Sequence, residues 1–312
     1  MFIKYISLLA VLVLSLQPCL QAEEFLTSEQ IKTILAADGK SQADFPLPRE
    51  VLFCWSKPDH PKDVHSYQRF AQLYSSKLNQ IRNLNASSIE GYPTRKQWES
   101  ADLVVFNLTQ SDLTQEQFAS MDAYLSQGGA VMVVHQGLVQ RKGYEEWAKR
   151  IGLAFSWDTP PSRSKWGKGE LEIRLNTKHD IFRGFPETIR VTDELYWNLK
   201  AGNEGILSIL GETTAPKKNE APGSDADTTK WPVFWTVEHP VQRDRGRPGR
   251  VFCCVISHPD DVAFSSSFEI VMMRAFAWCL GESAGPLLRG IHQSEQERAG
   301  QSAAGSKVEA GG

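Results

Sequence analysis

Residues 128–135 read Gly-Gly-Ala-Val-Met-Val-Val-His (GGAVMVVH): two glycines, an unbroken apolar run, and a histidine at its end. An apolar run with no polar alternation is the mark of a strand covered on both faces, as in a parallel sheet flanked by helices. The neighbouring sequence supplies those helices. Thr114-Gln115-Glu116-Gln117 forms a capping box that opens a helix to about residue 127, which Gly128-Gly129 closes. Residues 50–55 (EVLFCW) and 102–108 (DLVVFNL) are two further buried strands. Between them Phe70, Leu73, Tyr74, Leu78 and Ile81 recur at helical spacing across 65–81. Another helix is predicted over 144–151. Strands separated by helices imply right-handed crossovers and a doubly wound, mostly parallel α/β sheet.

The second half reads differently. Residues 170–175, 189–197, 206–211, 233–238 and 250–257 are predicted strands with few helices between them, which adds antiparallel strands to the sheet. A closing helix is expected over 267–280, and 216–229 is an exposed loop rich in Lys, Asn, Pro, Gly and Asp. No internal repeat at a fixed period is visible. The organisation expected is a signal peptide over 1–22, an N-terminal polar arm over 23–48 with one helix near 28–37, an α/β domain over 49–282, and a disordered tail over 283–312.

Composition excludes several classes. With 41% hydrophobic and 23% charged residues, the chain of 312 is neither collagen-like, coiled-coil, wholly disordered nor a polytopic membrane protein. A formal charge of −3 leaves no footprint for a nucleic-acid backbone, so no nucleic-acid partner is expected. Residues 1–22 carry Lys4, an apolar run over 6–16 and a small residue at Ala22, the order of a secretory signal cleaved near Ala22. That run is shorter than the roughly 20 residues of a bilayer span, so no membrane span is expected in the mature chain. Export to a periplasm or beyond follows. Cys19 offers a lipoprotein alternative, although Pro18 precedes it where a small residue would be wanted. The other cysteines, Cys54, Cys253, Cys254 and Cys279, show no CxxC spacing and read as inert core thiols.

In an open parallel sheet, ligands bind beyond the carboxyl ends of the strands. His135 ends one strand and is followed by Gln136; His258 ends another. The loop after residues 50–55 carries His60, Asp63 and His65. Three strand ends thus place a histidine on one rim, where imidazoles can transfer protons or ligate a metal. No HExxH and no short Cys/His pair marks a zinc site, so convergence in space is required. Asp193-Glu194-Leu195-Tyr196-Trp197 sets carboxylates beside aromatic rings, a combination suited to sugar hydroxyls and C–H faces. Adjacent strand residues face opposite ways, so Asp193 and Glu194 are not expected to act as the two flanking carboxylates of a glycosidase. GxGxxG and Walker sequences are missing, and His135 stands where a nucleophile elbow would carry Ser or Cys.

These blocks resemble the ThuA-like (trehalose-utilisation) domains, which share the flavodoxin-like, class I glutamine amidotransferase-like fold. The resemblance rests on residues 128–135, on 179–185 (HDIFRGF) followed by Asp193-Glu194-Leu195-Tyr196, on 232–236 (PVFWT), on 249–252 (GRVF) with Ser257-His258, and on 276–281 (FAWCLG). Asp180 stands where the family commonly has Pro, and Ser257 where it usually has Gly. The resemblance implies a role in disaccharide catabolism through 3-keto sugars, with a small carbohydrate ligand and a sugar oxidoreductase as a pathway partner. It does not imply amide hydrolysis, because the amidotransferase cysteine is missing.

On this reading His135, His258 and His65 act on a keto-sugar, either by proton transfer or by holding a divalent metal such as zinc. Glu194 assists as acid/base, and Tyr196, Asp193, Gln136, Trp55 and Trp235 bind substrate. A non-catalytic carbohydrate-binding or scaffold module is the alternative; a hydrolase using Cys54 or Cys254 is a third.

Overall fold

The computed structural model describes residues 25–38, 44–60, 63–109, 113–159, 162–216, 228–241 and 246–291. The expected signal segment, most of the loop over 216–229 and the end of the expected tail lie outside them. In chain order the elements are α1 (Ser28–Asp38), β1 (Arg49–Trp55), α2 (Tyr67–Leu78), β2 (Leu84–Glu90), α3 (Arg95–Ser100), β3 (Leu103–Asn107), α4 (Gln115–Ser126), β4 (Ala130–Val134) and α5 (Tyr144–Ile151). There follow β5 (Leu153–Ala154), β6 (Lys165–Leu175), β7 (Thr188–Trp197), β8 (Lys200–Ala201), β9 (Ile206–Thr214), β10 (Lys230–His239), β11 (Gly249–Cys254), α6 (Asp260–Ala263) and α7 (Ser266–Leu280).

Nine strands form one sheet in the order β2-β1-β3-β4-β11-β10-β9-β6-β7. The first five are parallel and the remaining pairings antiparallel. The parallel part has the flavodoxin-like 2-1-3-4-5 order, in which loops past the strand ends form the ligand crevice. Strands β1, β3, β4 and β11 are the apolar runs of the sequence, and β3 and β4 are buried throughout. Helix α7 is apolar on every face, and 12 of its 15 residues are buried.

Some elements carry weak signals. β2 (LNASSIE) is an edge strand whose exposed positions are polar, so it has no apolar run to reveal it. Helix α3 opens on a capping box formed by Thr94 and Gln97, a signal the sequence does contain.

The terminal segments correct the expected boundaries. Residues of the N-terminal arm are packed: Phe25, Leu26, Ile31, Ile34, Leu35 and Phe45 join the core, and the backbone N–H of Leu26 donates to Ser267 Oγ at 3.0 Å. Asp38 pairs with the buried Arg274 of α7 at 2.6 Å, and that guanidinium also donates to the carbonyls of Ile181 and Arg183. Breaking such a buried pair typically costs about 3–5 kcal/mol. At the other end, residues 285–291 are helical with Leu287, Leu288 and Ile291 in the core. This part of the expected tail belongs to the packed domain, because its apolar residues have a surface to cover.

Candidate metal centre

Three loops and one strand build the site. Strand β4 ends at Val134, and the chain enters a 3₁₀ turn over His135–Leu138 that turns the imidazole inward. Gly137 is needed there, since a Cβ would stand 2.8 Å from the carbonyl oxygen of Phe106 on β3. The loop after β1 brings in Asp59, His60 and His65, and the turn after β11 brings in His258. Strand β7 runs in the same direction as β11, so its final residues, Asp193 to Trp197, reach the same rim. His65, His135 and Ser257 all have positive φ (50°, 46° and 102°), sparsely populated backbone for residues with a Cβ. Such strain persists only where surrounding contacts enforce it, and it gathers at functional sites.

The four side chains His65, His135, Glu194 and His258 converge, all of them buried. His135 Nε2 lies 3.1 Å from His65 Nε2 and 3.1 Å from His258 Nδ1. Glu194 Oε2 lies 3.3 Å from His258 Nδ1 and 3.6 Å from His135 Nε2. Ligands about 2.0–2.1 Å from a tetrahedral ion would be spaced about 3.3–3.4 Å apart, so this donor set has the right size for one. Three imidazoles and one carboxylate also suit zinc and its neighbours in donor type.

The outer partners fix which ring atoms face inward. His135 Nδ1–H donates to the Val255 carbonyl at 2.5 Å, leaving Nε2 as a bare lone pair. His65 Nδ1–H donates to Asp59 at 3.0 Å, which does the same for its Nε2. A carboxylate or carbonyl behind a ligand histidine is the usual way a metal site sets tautomer and ring angle. Partial burial disfavours the charge on Asp59, but hydrogen bonds from His65, Thr109 and His60 outweigh it and hold the carboxyl well below the usual range. Burial, with His65 close by, lowers His135 to about 3, so the ring is neutral at pH 7. Burial also lowers His65, against the pull of Asp59. For Glu194 burial acts upward, yet His258 and His135 hold it at about 2.

Asp193 has a different place. It is buried behind the cluster and accepts the backbone N–H groups of Ser257 at 2.7 Å and His258 at 3.1 Å. Burial raises its carboxyl to about 7 in spite of these bonds. Both members of the Asp193-Glu194 pair therefore serve one centre, Glu194 from inside and Asp193 by holding the turn. Tyr196 donates to Gln136 Oε1 at 2.8 Å and lies 3.0 Å from His135 Nε2.

A cavity of about 170 Å³ opens over the cluster, lined by His60, His65, Gln136, Val139, Phe155, Trp157, Trp166, Glu194 and Tyr196. Besides Asp193, two more of the expected substrate-binding residues do not line it. Trp235 is fully buried in β10 with its indole N–H donating to the Ile151 carbonyl at 2.7 Å, a core role set by its inward-facing register. Trp55, half-buried at the end of β1, packs against the core. Trp157, Trp166 and Phe155 enter from a loop and the start of β6, where no histidine or acidic motif marked them. The thiols of Cys54, Cys253, Cys254 and Cys279 are buried, and burial pushes each upward, which leaves no reactive thiolate among them.

The ThuA family, described as trehalose utilisation, matches residues 50–279. A ThuA-like protein from Bacteroides uniformis has a similar structure, with a TM-score of 0.55 and 16% identity over 80% of this chain and 99% of its own. A ThuA-like protein from Parabacteroides merdae gives 0.56 and 15% over 76% and 91%. No curated protein matches the sequence. Since the family match spans most of the chain, the chain belongs to the ThuA (trehalose utilisation) family.

Proposed function

We propose that this chain is an exported carbohydrate-processing protein whose His65, His135, His258 and Glu194 hold a divalent metal such as zinc beneath a sugar-binding cavity. One observation carries the reading. His65 Nε2 and His135 Nε2 lie 3.1 Å apart, each left without a proton by the partner behind its ring. Two bare lone pairs at that distance repel, and a shared cation removes the repulsion.

A divalent ion held by His65, His135, His258 and Glu194 would supply Lewis acidity for the carbonyl oxygen of a keto-sugar. The chain's own groups do the rest. Tyr196 keeps its proton, because burial and the Glu194 charge push its phenol far up, and donates it to Gln136 Oε1. Gln136 offers an amide to a hydroxyl. His60, at the cavity and 2.9 Å from Asp59, is placed to exchange a proton with the ligand. The residue order over 1–22 supports export, and a sugar oxidoreductase in the same pathway would supply a keto-sugar.

The test is metal analysis of the purified chain, with and without chelator, beside His135→Ala. Stoichiometric metal that is lost in the variant supports the reading. Metal-free protein that resists loading with zinc overturns the metal; sugar binding without turnover would then favour the non-catalytic carbohydrate-binding module. Among the described residues no helix is long and apolar enough to cross a membrane.

A further inference from the structure

Trp157 and Trp166 line the cavity yet keep 41% and 44% of their surface exposed. Their ring centroids lie 5.9 Å apart with the planes inclined at 56°. Phe155 stands 5.0 Å from Trp157 and 6.1 Å from Trp166, and meets Tyr196 edge-on at 5.4 Å. The Arg163 guanidinium lies 4.7 Å from the Trp157 ring and 5.6 Å from that of Trp166, bracing both. Large aromatic faces left in water beside a concave site are surface waiting for a ligand.

The cavity is two-sided in chemistry. Its floor has Glu194, Gln136 and His65, all able to meet oxygen substituents; its wall is a run of aromatic faces. A molecule that satisfies both needs a rigid C–H face and a rim of hydroxyls. A pyranose ring has both. An acyclic polyol has the hydroxyls without a rigid face, and a flat aromatic ligand would stack but leave the polar floor unpaired.

We infer that Trp157 and Trp166 form a stacking platform that holds the C–H face of a pyranose ring while its oxygens reach the His65–His135–His258 cluster. The inference rests on the carbohydrate reading above and adds the ring form of the ligand and the residues that select it.

Calorimetric titration of the purified full chain tests it, with methyl α-D-glucopyranoside, trehalose and acyclic sorbitol as probes. The wild type should bind the pyranosides and not sorbitol. The double variant Trp157→Ala/Trp166→Ala should bind them at least about tenfold more weakly, and Trp157→Phe/Trp166→Phe should keep most of the affinity. Unfolding midpoints near that of the wild type show that the variants fold; should the alanine pair unfold, Trp166→Gln carries the same comparison. Equal pyranoside affinity in wild type and alanine variant overturns the platform while leaving the carbohydrate reading standing, as does sorbitol binding as tightly as the pyranosides. A wild type that binds none of the three probes overturns the carbohydrate reading itself, and the platform with it.

Discussion

The carboxylate of Asp193, on the outermost strand of the sheet, accepts the backbone N–H of Ser257 at 2.7 Å, in the turn after the central strand β11. Together with its bond to the His258 N–H, this ties the position of a candidate ligand to a strand four places away in the sheet. Asp193→Asn keeps one acceptor oxygen but sets an amide N–H₂ against at least one of the three backbone donors, those of Glu194, Ser257 and His258. Stability should fall by about 1–3 kcal/mol, the cost of leaving a buried donor unpaired. Zinc affinity should fall with it. Chemical denaturation and zinc titration of the same samples check both.

Ser257 itself is expected to be replaceable with profit. Its φ of 102° suits glycine, and its hydroxyl is buried without a hydrogen-bond partner. Ser257→Gly relieves both defects, against the extra freedom glycine gives the unfolded chain. A net gain of about 1 kcal/mol is expected in denaturant unfolding. Ser257→Ala, which removes only the hydroxyl, should gain less.

Asp59 is a positioning residue in the metal reading. Asp59→Asn leaves a hydrogen-bond partner beside His65 but no longer requires Nδ1 to carry the proton, so the imidazole can turn its lone pair the wrong way. Metal affinity should drop about 10–100-fold, as is usual for groups behind a ligand. Competition with a chromogenic chelator measures it. An unchanged affinity would separate Asp59 from the centre.

The pH dependence of the metal-free chain has a definite sign. His135 titrates near 3 in the fold and near the ordinary 6.5 when unfolded. The unfolded chain therefore takes up a proton first, and the stability this group contributes is complete above about 6.5 and lost as pH falls toward 3. Asp193 runs the other way, since its raised carboxyl contributes stability at low pH that is lost as pH rises through about 7. Comparing wild type with His135→Asn isolates the histidine: the stability difference should narrow as pH drops from 6.5, by at most about 1.4 kcal/mol per unit. A difference that stays constant over that range contradicts the assignment.

Trp235 provides a contrast. Because its indole is spent on the Ile151 carbonyl inside the core, Trp235→Phe should destabilise by about 1–3 kcal/mol. Pyranoside affinity should be unmoved, which the same calorimetry would show.

The parallel half was readable because both faces of β3 and β4 are covered and each becomes a continuous apolar run. The histidines were readable for a related reason, since His135 and His258 lie just past such runs and His65 in the loop after another, and strand direction alone places them on one edge. Asp193 and Glu194 were singled out, but their division of labour was not legible: it depends on β7 reaching the rim from the far edge of the sheet. The strand-alternation rule points the two side chains apart, and neither reading of the pair separates a residue that holds a backbone turn from one that faces the cluster. Trp157 and Trp166 were missed outright. Their work is set by where a loop and the start of β6 come to rest, and an exposed tryptophan has no local pattern to distinguish it. Trp235 shows the converse error, an aromatic inside a recognisable block whose register turns it into the core.

The cluster draws on residue 65, residue 135, residue 194 and residue 258, which spreads it over most of the chain's length. No amino-terminal fragment that stops before residue 258 contains it. A chain still being synthesised has, until its last third is begun, at most three of the four groups, and the segment between β4 and β11 must fold back before His258 can meet the others. The site is thus a late product of folding: whatever it holds will favour the finished chain over every partial one, and occupancy itself reports that both halves of the sheet have come together.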